Sequence, residues 1–76
     1  MELVLYTGPQ CTLCDKAKQV IWPVIAATGH KLVERDITSD IAWLRKYRTT
    51  IPVVALGDRE LNWPFDQQQL YQWLNQ

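Results

Sequence analysis

Apolar residues in this chain fall into short runs with distinct periods, and each run predicts an element. Leu3-Val4-Leu5-Tyr6 is continuous and is followed by Thr7-Gly8-Pro9-Gln10, so residues 2–6 read as a buried strand closed by turn formers. From Leu13 the apolar positions Ala17, Val20, Ile21 and Val24 recur at helical intervals and mark one face of a helix. Pro23 lies inside that pattern. Its ring crowds the preceding turn and it has no N–H to donate, which predicts a kink or an early end near Trp22. Gly29 then closes the segment as a helix C-cap.

Residues 31–37 form the second strand expected, and Thr38, Ser39 or Asp40 can cap a helix whose buried face is Ile41, Leu44 and Tyr47. Beyond Thr49-Thr50-Ile51-Pro52, an apolar run over residues 53–56 and the segment Arg59-Glu60-Leu61 flank Gly57-Asp58, the pattern of a hairpin. Asp66 with Gln69 three residues on is a capping box, and Phe65 ahead of it can pack on Leu70 as a hydrophobic staple. Leu70, Trp73 and Leu74 supply the inward face of this last helix. The order is strand, helix, strand, helix, hairpin, helix, without repeats, linkers or low-complexity tracts.

Composition narrows the class. The chain has 76 residues, 47% of them hydrophobic, with four tryptophans, three tyrosines and a phenylalanine. That is enough for one domain, expected over residues 1–76, and argues against disorder. Eight Lys and Arg balance eight Asp and Glu, and the basic residues are scattered rather than gathered in a stripe, which speaks against nucleic acid as a partner. The first residues carry no basic stretch ahead of a long apolar run, and no apolar stretch approaches the roughly 18 residues of a membrane span. The expectation is a cytoplasmic monomer without a membrane partner.

The candidate chemistry lies in Cys11-Thr12-Leu13-Cys14, which holds both cysteines of the chain and follows the first strand and its turn. If a helix starts at Cys11, Cys14 sits one turn further along, a spacing at which a dithiol can close into a small disulfide ring. In a reducing compartment such a pair points to catalysis or metal binding before structure, and a disulfide across two residues constrains little of the unfolded chain. Two cysteines and the distant His30 give zinc at most three side-chain ligands where it takes four, while a cluster shared between two chains stays open. No metal site is therefore expected.

Cys-x-x-Cys between the first strand and first helix, an Ile-Pro just before a hairpin, and a terminal helix together resemble the glutaredoxin branch of the thioredoxin fold. Thr7-Gly8-x-x-Cys11-x-Leu13-Cys14, Ile51-Pro52-Val53-Val54 and Leu61-x-Trp63-Pro64-Phe65-Asp66 are similar to a group of short bacterial glutaredoxin-like proteins of largely unassigned function. The resemblance spans essentially the whole chain. It implies an α/β fold, β-α-β-α-β-β-α, with a four-stranded mixed sheet and three helices. It further implies a cis Pro52 facing the dithiol, with the backbone of Ile51 free to pair with an extended thiol substrate.

Thiol–disulfide exchange needs a thiolate, and a cysteine at the first turn of a helix meets unpaired N–H groups and the positive end of the macrodipole. Cys11 is thus the expected nucleophile and Cys14, one turn inside, the resolving thiol. Lys16 and Lys18 favour ionisation of Cys11, and Asp15 opposes it nearby. The resemblance places substrate contacts at Thr12, Leu13, Ile51, Pro52, Trp63 and Asp66, with no bound cofactor and with glutathione as a candidate co-substrate. Expected partners are a disulfide-containing protein or a glutathione mixed disulfide, and a thiol reductant.

The sequence also departs from that pattern. Trp63-Pro64 stands where glutathione-binding members have Gly-Gly, Thr12-Leu13 replaces the Pro-Tyr often found between the thiols, and Arg48 lies four residues before Pro52 rather than three. Trp63 reads equally as groove lining or as core. Trp22 and Trp43 read as packing or partly exposed surface, His30 as a solvated turn residue, and Arg45, Lys46 and Arg48 as a wet helix end. The leading function is a dithiol–disulfide oxidoreductase. The alternative is a redox-sensing or protein-binding thioredoxin-fold module with little turnover.

Overall fold

The computed structural model describes residues 2–76; Met1, the first residue of the expected domain, lies outside them. Four strands and three helices follow one another as β1 (Glu2–Thr7), α1 (Thr12–Thr28), β2 (Lys31–Asp36), α2 (Ile41–Tyr47), β3 (Val53–Leu56), β4 (Arg59–Asn62) and α3 (Gln67–Leu74). A short 3-10 turn over Ile37–Ser39 leads into α2. The sheet order is β2-β1-β3-β4. β1 and β2 run parallel, while β3 is antiparallel to β1 and β4 to β3. This is the mixed four-stranded sheet with three helices that the resemblance implied.

The period of two along β1 distributes its side chains to two cores. Leu3 and Leu5 point to one face, where they meet Ala17, Ile21 and Val24 of α1 and Leu70, Trp73 and Leu74 of α3. Val4 and Tyr6 point to the other, where Tyr47, Trp43 and Leu44 of α2 pack with Ile37, Val53 and Ala55. The result is three layers, with α1 and α3 on one side of the sheet and α2 on the other.

Local signals account for most boundaries. Gly29 ends α1 in the left-handed conformation at φ 78°, its N–H returning to the Ile25 carbonyl. Among the cap candidates for α2 it is Asp40 that serves, accepting from the Ala42 and Trp43 amides, whereas Asp36 caps the short turn before it. The Thr38 hydroxyl and amide on Asp36 hold that carboxyl below its usual range. Gly57-Asp58 makes the hairpin turn between Leu56 and Arg59, with Gly57 at φ 63°. The capping box at Asp66 and Gln69 is complete, and Phe65 and Leu70 lie buried in the same core.

Four expectations are corrected. α1 does not end near Trp22: it runs through Pro23 to Thr28. Pro23 and Gln19 are both exposed, so the carbonyl that the proline leaves free can bond to water, while the buried Ile21 and Val24 hold the helix on the sheet. Leu13 does not join the apolar face, being 44% exposed while Cys14 takes the buried position of the first turn. Ile41, expected inside, is 63% exposed. Two strides of three residues fall about 120° short of two full helical turns, so Ile41 cannot share a face with Tyr47. His30 is half-buried rather than solvated, its Nδ1 lying 2.7 Å from the Thr28 hydroxyl.

Candidate functional site

The end of β1, the start of β3 and the end of β4 meet at one end of the sheet. Tyr6 pairs with Val53, and Val53 with Asn62, so the segments running into Cys11, out of Pro52 and into Trp63 leave the sheet side by side. Of the sequence-predicted residues, Cys11, Thr12, Leu13, Cys14, Ile51, Pro52 and Trp63 belong to these segments, and Asp66 follows at the start of α3.

Gln10 makes the turn into α1 with φ 54°, a left-handed conformation uncommon outside glycine. Cys11 then serves as the N-cap, its backbone extended and its Sγ accepting the Cys14 amide at 3.1 Å. A sulfur thus occupies the place that Ser, Thr, Asp or Asn oxygens usually take at a helix start. A disulfide joins Cys11 and Cys14, with the Cα atoms 5.2 Å apart. Cys14 is 1% exposed and Cys11 half-buried, while Thr12 and Leu13 between them are exposed.

Of the surrounding charges, one is committed elsewhere and the others face solvent. Lys18 reaches Glu34 on β2 at 2.7 Å, and that hydrogen bond holds its ammonium above the usual lysine range. Lys16 and Asp15 are exposed. Arg48 is exposed at the end of α2, and its guanidinium makes no hydrogen bond or ion pair among the described residues.

The Ile51–Pro52 peptide bond is cis, and Pro52 is fully buried. Of the Ile51 backbone, expected to be free for substrate, the amide is occupied: it donates to the Tyr47 carbonyl at 3.0 Å, beside the Thr50 amide at 2.9 Å. The segment between Arg48 and Pro52 thus turns back on the last turn of α2. The Ile51 side chain lies against the turn before the dithiol, since a Cβ on Gly8 would stand 3.0 Å from Ile51 Cδ1.

Trp63–Pro64 is also cis, and the Trp63 amide donates to the Pro52 carbonyl at 3.2 Å. The Trp63 ring is half-buried against the α1–α3 core, edge-on to Phe65 at 5.1 Å, the contacts of the core reading. Both functional groups of the Asp66 cap are in use: its Oδ1 accepts the Gln69 amide at 2.7 Å and its own amide donates to Gln69 at 2.9 Å.

Sequence reasoning passed over the residues behind the Pro52 segment. Tyr47 stacks on Tyr6 with centroids 4.1 Å apart, and its hydroxyl donates to Glu60 of β4. Lys46 completes the pair at 3.5 Å from Glu60. Arg35 lies over Tyr6 and Trp43 and donates to the Tyr6 hydroxyl at 3.0 Å.

The family model "Glutaredoxin-like domain (DUF836)" matches residues 2–75. The chain is similar to target protein XcR50 from X. campestris, with 35% identity to both of its structures. The X-ray structure gives a TM-score of 0.80, covering 96% of this chain and 95% of that one. The solution structure gives 0.79, covering 99% and 94%. A malarial protein shares the fold alone, at 11% identity and a TM-score of 0.72 over 97% of this chain and 92% of that one. With a matching family model over nearly its whole length and a Cys-x-x-Cys pair capping the first helix of a thioredoxin-like fold, this chain belongs to the glutaredoxin-like domain family.

Proposed function

We propose that this protein is a dithiol–disulfide oxidoreductase in which Cys11 is the nucleophile and Cys14 the resolving thiol. The observation that carries the reading is the hydrogen bond from the Cys14 amide to the Cys11 sulfur at the first turn of α1. A thiolate there is held by an oriented N–H and by the positive end of a 17-residue helix, both of which favour the ionised form.

Starting from the reduced pair, the Cys11 thiolate attacks one sulfur of a substrate disulfide. A Cys11–substrate bond forms, the substrate S–S bond breaks, and the departing thiolate takes a proton from solvent. Cys14 then loses its proton and attacks the Cys11 sulfur, closing the intramolecular disulfide and expelling the second substrate thiolate. Two electrons pass from the dithiol to the substrate, and an external thiol reductant returns them. The unequal burial of the two sulfurs supports this order of attack.

A disulfide carried on a polypeptide leads as substrate, with a glutathione mixed disulfide behind it. The Ile51 and Trp63 amides, which would otherwise be open to a glutathione backbone, are bonded to Tyr47 and Pro52. Thr12 and Leu13 offer an exposed surface beside Cys11, and the segments of Ile51 and Trp63 leave the sheet at the same end.

Cys11→Ser is expected to abolish exchange, and Cys14→Ser to accumulate a mixed disulfide that mass spectrometry detects on Cys11. Rates are compared on a glutathione mixed disulfide and with a thioredoxin-type reducing system as donor. Wild-type protein inert in both assays would sink the proposal in favour of a binding module.

A further inference from the structure

We propose that Tyr47 is a positioning residue of the dithiol site: it locks the Ile51–Pro52 segment in place as the wall beside Cys11 and so sets how firmly a polypeptide disulfide is held. The role rests on the oxidoreductase reading above. It is carried by three sets of contacts that meet at one residue.

The first is at its carbonyl. The Thr50 amide, the Ile51 amide and the Thr50 hydroxyl all donate to Tyr47 O, at 2.9, 3.0 and 3.2 Å. Three donors on one acceptor fold the segment tightly against the end of α2. The second is at its ring, which stacks on Tyr6 of β1, the residue paired with Val53 and only two positions before Gly8. The third is at its hydroxyl, bonded to Glu60 of β4. Tyr47 thereby ties α2 to the strands on both sides of β3, the strand that Pro52 opens.

The consequence reaches the dithiol through Ile51. Its Cδ1 occupies the space that a Cβ on Gly8 would need, so the wall and the turn leading into Cys11 are packed directly on one another. Freeing the segment leaves Cys11 and its helix N-terminus intact but removes the fixed surface beside it. Ordering that surface on binding then costs affinity for a substrate large enough to lie on it, and nothing for a small one.

The test uses Tyr47→Leu, which removes the stack and the hydroxyl, and Glu60→Gln, which weakens the hydroxyl's anchor at a more exposed position and serves if the first variant does not fold. Two probes separate docking from chemistry: hydroxyethyl disulfide, and a short cysteine peptide in mixed disulfide with mercaptoethanol. For the peptide, KM is expected to rise about fivefold in Tyr47→Leu and about twofold in Glu60→Gln, with kcat little changed and hydroxyethyl disulfide reduced at the wild-type rate. Amide hydrogen exchange at Thr50 and Ile51 accelerates about tenfold in Tyr47→Leu while Leu5 and Val54 keep their protection. An unmoved peptide KM in the folded variants, or equal losses with both probes, overturns the role of Tyr47 while leaving the exchange reaction standing. A wild-type protein that reduces neither probe overturns both.

Discussion

On one face of the sheet, Leu3 and Leu5 meet a largely aliphatic core from α1 and α3, with Trp73 and Phe65 at its α3 end, in which Ile21 and Leu70 are fully buried. On the other, Val4 and Tyr6 meet Trp43 and Tyr47 of α2, with Arg35 over the rings and Glu60 bonded to the Tyr47 hydroxyl. The first face seats α1, and with it the N-terminus that carries Cys11. The second seats the Ile51–Pro52 segment beside it. On the proposed reading, reactivity and substrate placement are supplied from opposite sides of one sheet, the first chiefly by apolar burial and the second by stacking and side-chain hydrogen bonds.

If that division holds, the two faces respond differently to small changes. Ile21→Ala leaves a cavity at a fully buried position and is expected to cost about 2–5 kcal/mol, read from the shift in denaturant midpoint. Tyr47→Phe keeps the stack and loses only the hydroxyl's bond to Glu60, for about 1 kcal/mol. A larger loss from Tyr47→Phe than from Ile21→Ala would break the comparison.

The smaller effect has a pH signature that sharpens it. Burial first, then the Glu60 carboxylate and the Tyr6 phenol, raise the Tyr47 phenol above its ordinary value. A group that holds its proton more tightly folded than unfolded stabilises the protein fully below the unfolded value and loses that contribution as pH rises past it. The advantage of wild type over Tyr47→Phe should therefore be constant up to about pH 10 and shrink above it. Midpoints measured across that range check it, and a difference that grows with alkali would reverse the assignment.

Elements whose signal is local were legible in the sequence. The Gly29 cap, the Gly57-Asp58 turn and the Asp66–Gln69 box each depend on a few adjacent residues, and the element order followed from their spacing. The dithiol and Pro52 were legible through a resemblance that spans the chain. What escaped depended on partners distant in sequence or on helix phase. Pro23 is tolerated because flanking residues are buried on the sheet, which its own neighbours do not reveal. Ile41 looked like core because strides of three imitate a helical face over a single turn. The occupied amide of Ile51 depends on how the 48–52 segment folds back on α2, and the bond from the Tyr47 hydroxyl to Glu60 needed the β3–β4 register.

The central claim is that the N-cap position of α1 activates Cys11, and titrating its thiolate by absorbance in the reduced protein tests it most directly, with Cys14→Ser assigning the signal to Cys11. The account predicts a midpoint below the ~8.5 of a free thiol. A midpoint at or above that value would contradict it.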